Sequence, residues 1–134
     1  MPTAPEHERQ PWLRVTSGEP PAGATYVAGS ACRTRADLFT EFASALRFPE
    51  YFGHNWDALV DCLSEVADRA PLTLGVDDAV QLLADEPAAE LTTLLAALDG
   101  VARRAPGRLE VLLRAGPADE PALRQRIAAA APQE

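Results

Sequence analysis

Three short apolar runs, ATYVAG at 24–29, PLTLGV at 71–76 and RLEVLLR at 108–114, are separated by stretches whose apolar residues recur with helical spacing. That alternation constrains the fold more than any other feature. Strands joined through helices lie parallel in one sheet, and their connections are right-handed because only that hand packs a twisted strand against its helix. The expected fold is therefore α/β, with a small three-stranded parallel sheet covered by helices. A length of 134 residues supplies one core and leaves little for a second domain.

Changes of composition mark the boundaries. Residues 1–23, rich in Pro and charge, read as a flexible N-terminal lead in which WLRVT is at most a short edge strand. Residues 24–116 form the domain, and 117–134 form a C-terminal helical extension. Inside the domain a helix places Leu38, Phe42, Ala45 and Leu46 on one face, and Thr34 with Asp37 resembles a capping box at its start. Pro49 and Gly53 interrupt it. A second helix starts after Asn55, whose side chain suits an N-cap, and runs to about Arg69. DDAVQLLADE reads as a short helix capped by Asp77 or Asp78, and the segment after Pro87 spaces Leu91, Leu94, Leu95 and Leu98 along one stripe.

Charge narrows the function. Twelve basic residues, all Arg, stand against twenty acidic ones, for a net charge of -8. Such a field repels phosphate backbones and anionic lipid, so neither direct nucleic-acid nor membrane binding is expected, and a basic protein partner is favoured. No stretch approaches the roughly 18 consecutive apolar residues of a membrane span, and the opening MPTAPEHERQPWLRV lacks the pattern of a signal peptide. Cys32 and Cys62 fit neither a zinc spacing nor a disulfide framework. A cytoplasmic protein with reduced thiols, no metal and no cofactor is the expectation.

The segment FPEYFGHNWDALVDCLSE, 48–65, holds four acids and neither Lys nor Arg. On a helix beginning near Trp56, residues four apart share a face, so Asp57, Asp61 and Glu65 form one acidic stripe that Asp68 extends. Like charges at that spacing cost an isolated helix about 0.2–0.5 kcal/mol per pair. Asp57, in the first turn, recovers some of this from the helix dipole; Asp61 and Glu65 lie beyond its reach. A cation approaching the stripe accounts for it, against the plainer alternative of an acidic face that stays wet. The preceding loop offers Tyr51 and His54 as contacts, with Phe52 assigned to the core and Gly53 to a backbone position of positive φ. An enzyme would have to use Cys62 with His54, or Asp57 with Asp61. Cys62 falls on the apolar side, where thiols tend to be inert.

FPEYFGHNWDALVDCL resembles the signature of the barstar family, the intracellular inhibitors of secreted microbial ribonucleases, and the likeness runs from about residue 25 to 114. The resemblance implies that the second helix and its loop plug a guanyl-specific, barnase-type ribonuclease in a 1:1 complex, mimicking RNA phosphates. It also assigns the parts. Asp61 matches the family's principal acid, Asp57 a second one, and Tyr51 an aromatic that packs on the enzyme's catalytic His, while Gly53 and Asn55 shape the contact. Val60 stands where the family's best-known member has a large aromatic, Trp56 where it has an aliphatic, and SEV at 64–66 lacks the expected Gly and Trp. Asp99 is the nearest match for an acid on the long helix after Pro87. A barstar-like module that binds a different basic toxin is the alternative these departures raise.

Overall fold

A computed structural model describes residues 11–19 and 21–131. Its sheet has four strands, all parallel, in the order β1-β4-β3-β2. They are β1 (Leu13–Thr16), β2 (Thr25–Ala28), β3 (Leu72–Asp77) and β4 (Leu109–Arg114). The helices are α1 (Arg35–Leu46), α2 (Trp56–Arg69), α3 (Ala88–Arg104) and α4 (Glu120–Ala130). The α/β class and parallel sheet are as expected, but the expected three strands are four. The extra one is the WLRVT segment. It pairs with β4 from Leu13 opposite Val111 to Thr16 opposite Arg114, and Trp12 and Leu13 are buried in the common core. Four residues that alternate with Arg14 and Thr16 carry little local strand signal; the pairing depends on a partner far along the chain. Of the rest of the expected lead, 1–23, residues 1–10 and residue 20 lie outside the described residues.

Strand alternation divides the sheet into two faces. Leu72, Leu74 and Val76 of β3, Leu109, Val111 and Leu113 of β4, and Val27 of β2 join the core beneath the helices. They meet Leu38, Phe39 and Phe42 from α1, Leu59 and Leu63 from α2, and Leu91, Leu94, Leu95 and Leu98 from α3. Phe39 is as buried as Phe42, whereas Ala45 is only half-buried.

The opposite face carries the row Tyr26, Gly75, Leu112 and Arg14, one residue per strand in register. The steps β2 to β3 to β4 run one way across the sheet, and β1 to β2 runs back. Right-handed crossovers in opposite directions occupy opposite faces, which places residues 17–19 and 21–24 of the β1-to-β2 connection on the side away from the helices. Arg114 agrees: from that face its Nε donates to the Gly18 carbonyl at 3.2 Å, and it pairs with Asp77. Leu112 is accordingly buried although it lies outside the main core cluster. Gly75 is required by close approach, since a Cβ there would stand 2.0 Å from Cε1 of Tyr26.

Local chemistry fixes the helix ends. The Thr34 hydroxyl accepts from the Asp37 N–H at 3.1 Å, and Glu86 accepts from the Arg35 N–H at 2.8 Å, so two orphan donors of α1 are satisfied. The expected helix DDAVQLLADE is instead a single 3-10 turn, Ala79–Gln81. Asp78 and Leu83 both have positive φ, and the Leu83 and Asp85 N–H groups bond the carbonyls of Cys32 and Arg33 at 2.8 and 3.0 Å. Those contacts take the donors that a helix would use. Neither acid caps it: Asp77 pairs with Arg114, and Asp78 makes no side-chain cap bond.

The C-terminal extension, of which residues 132–134 lie outside the described residues, joins the same core through α4. Leu123 is fully buried, with Ile127 and Ala130 beside it. Arg124 donates to the Val15 carbonyl at 2.9 Å and to Glu120 at 2.8 Å. Arg124 first, then Ser17, hold the Glu120 carboxyl below the usual carboxylate range. Leu123→Ala is therefore expected to lower the unfolding free energy by about 2–5 kcal/mol in urea titration, as for other buried leucines. A loss below about 0.5 kcal/mol, typical of surface changes, would show that α4 only rests on the domain.

Candidate functional site

The acidic segment becomes a loop and the first three turns of α2. Pro49 accepts from the Phe52 N–H at 2.9 Å, closing a tight turn that turns the Phe52 ring inward and leaves Tyr51 76% exposed. Phe52 packs on Phe48 at 5.0 Å and on Phe39 at 6.0 Å between centroids. Phe39 also meets Trp56 at 5.0 Å and His54 at 6.4 Å, so one buried ring of α1 holds both ends of the loop.

Asn55 caps α2 as expected, accepting from the Ala58 N–H at 2.8 Å, and its amide donates to the Gly53 carbonyl at 3.2 Å. Gly53 corrects the sequence reading. Positive φ falls on His54, at 51°, and not on Gly53. A Cβ at Gly53 would lie 3.0 Å from the Asn55 amide nitrogen and crowd the capping side chain. The His54 ring in turn lies tilted on Phe52, 4.9 Å between centroids.

Asp57, Asp61 and Glu65 all point to solvent along one face of α2, while Leu59, Cys62 and Leu63 are buried on the other. Val60 and Trp56 are half-buried at the margin. Arg104, at the end of α3, lies 3.4 Å from the Asp61 carboxylate of the stripe. Asp99 is occupied elsewhere. Its Oδ1 accepts from the Trp12 indole at 3.0 Å and its Oδ2 from Arg103 at 2.7 Å, so it ties α3 to the segment entering β1. The structure thus brings Tyr51, Gly53, His54, Asn55, Asp57, Val60, Asp61 and Glu65 into one continuous region and gives Asp99 an internal role. Arg104 escaped the sequence reading. Nothing local distinguishes it from an arginine placed at a helix C-terminus for the dipole.

The chemistry at Cys62 is unfavourable for a nucleophile. The side chain is buried, and burial first, with Glu65 and Asp61 adding, pushes its thiol pKa up. Cys32 is pushed up to about 12, by burial first and then by Glu41 and Asp37. Both cysteines are free. Neither is expected to react with iodoacetamide at pH 8 in the native state, and both should react after unfolding, as read by mass spectrometry. Rapid native labelling of Cys62 would revive the thiol reading. Among the described residues no group of three His, Cys, Asp or Glu side chains is placed to hold a metal ion, and no helix is long and apolar enough to cross a membrane.

Fold and site together define a class: a small parallel α/β domain that presents an exposed acidic helix beside a rigid aromatic loop. The sequence model of the family described as Barstar (barnase inhibitor) matches residues 23–115, and the chain belongs to that family. The match spans β2 to β4, leaving β1 and α4 outside it. No curated protein matches the chain.

Proposed function

We propose that the chain is a cytoplasmic inhibitor of a secreted, guanyl-specific ribonuclease of the barnase type, protecting its producer by forming a 1:1 complex before the enzyme is exported. The observation that carries this reading is the row of exposed carboxylates Asp57, Asp61 and Glu65 beside the exposed Tyr51. A ribonuclease cleft must be cationic to hold RNA, and carboxylates spaced one helical turn apart take the place of phosphates there. In this reading Asp61 enters the phosphate pocket, Asp57 faces neighbouring basic side chains and Tyr51 packs on the catalytic His. The surrounding negative field steers the two proteins together.

The test is a titration of the protein into such a ribonuclease, following RNA cleavage. Complete inhibition at one equivalent, weakening as salt is raised, is the expected result. Absence of inhibition would refute the reading. It would favour the second one, an immunity module of the same family for another basic toxin, which the departures from the family's best-known member at Val60 and in SEV, 64–66, support.

A further inference from the structure

Arg104 crosses from α3 to α2 and places its Nη1 3.4 Å from Asp61 Oδ1, with the two side chains 58% and 74% exposed. A helix C-terminus favours a cation, which accounts for an arginine in the last turn of α3. It does not account for the direction of the side chain. The dipole is satisfied locally, whereas this guanidinium reaches a carboxylate on a neighbouring helix. Asp57 and Glu65, one turn to either side, have no such contact among the described residues.

We infer that Arg104 is an internal competitor for Asp61, a specificity-determining residue that decides which cationic partners the acidic face accepts; this rests on the reading that Asp61 receives a partner cation. An incoming guanidinium must displace Arg104 or share the carboxylate with it, and in both cases meets a like charge at close range. A weakly basic surface lacks the groups to overcome that repulsion. A cleft with several converging cations replaces the single contact with many and moves Arg104 aside. Long-range attraction is little affected, because Asp57 and Glu65 remain open. The arrangement therefore separates steering, which is general, from final seating, which is selective.

The experiment uses two probes. One is a fluorescent hexa-arginine peptide, followed by anisotropy at low salt, and the other is a barnase-type ribonuclease, followed by inhibition. Each is measured on the wild type, Arg104→Gln, Arg104→Ala, Asp61→Ala and the Asp61→Ala, Arg104→Gln double variant. Arg69→Gln serves as a control that changes net charge equally at an exposed position without a contact on the stripe. Arg104→Gln and Arg104→Ala are expected to bind hexa-arginine about three- to tenfold more tightly, more than the Arg69 control, with the gain lost in the Asp61→Ala background. Inhibition of the ribonuclease should tighten less, and through slower dissociation, because its converging cations displace Arg104 in any case. An unchanged or weaker hexa-arginine affinity, a gain no larger than the control, or a gain that survives Asp61→Ala would overturn the inference. If the peptide result holds and no ribonuclease is inhibited, the functional reading falls and Arg104 keeps its role. If the ribonuclease is inhibited without the peptide gain, the reverse holds.

Discussion

Asp61→Ala is expected to weaken inhibition of a barnase-type ribonuclease by at least about a hundredfold, with most of the change in the dissociation rate. The scale is that of the barnase–barstar pair itself, in which close charge pairs couple by about 1.5–7 kcal/mol. The physical cause lies mostly on the enzyme. Its cations, desolvated in the complex, would face a methyl group and remain buried without a counter-charge. Free Asp61 is 74% exposed and its one partner among the described residues is Arg104, a weak contact, so the variant should fold with nearly unchanged stability. Loss of inhibition with an unchanged urea midpoint is the expected signature. Inhibition within threefold of the wild type would rule out a decoy role for Asp61.

Phe39→Ala should have the largest effect on the fold. The ring is buried and makes edge contacts with Phe52, His54 and Trp56, so its removal opens a cavity where three parts of the binding segment are anchored. A loss of about 3–5 kcal/mol in unfolding free energy is expected. Inhibition by the fraction still folded should also fall, by roughly tenfold, because a loosened loop must be ordered again on binding. Phe42→Ala provides the comparison. Phe42 is equally buried on the same helix but makes no ring contact with the loop, so it should cost similar stability and leave the affinity of the folded protein intact. Equal losses of affinity in the two variants would show that the loop is not held through Phe39.

What the sequence reveals and what it conceals divide along the range of the interactions. Asn55 could be recognised as a cap because its bond to the Ala58 N–H closes within three residues. The acidic stripe was legible for the same reason, since helical spacing alone puts Asp57, Asp61 and Glu65 together. Gly53 and His54 show the limit. Positive φ is assigned to a glycine by default, yet here the His54 ring gains contacts on Phe52 that a glycine cannot make, and Gly53 lies close under the folded-back Asn55 amide. Longer-range arrangements left little or no local trace, and WLRVT could be read as at most the short edge strand that it is. The strand at 13–16, the conversion of a helical pattern after Asp78 into one 3-10 turn, and the engagement of Asp99 by Trp12 all depend on segments brought together only by the fold.

The placement of β1 has a kinetic consequence. Residues 25–114 can assemble through connections between neighbouring elements, each strand joining the one before it. β1 cannot join them, because its partner is β4 and its outer carbonyl at Val15 is held by Arg124 of α4. During synthesis Trp12 and Leu13 leave the ribosome early and wait, unpaired, for the far end of the chain. Closing so long a loop makes this docking a late event in folding, and until it occurs the apolar edge of β4 stays available to other chains. The binding helix lies wholly within the part that can form first, so the acidic face can be complete before the sheet is closed.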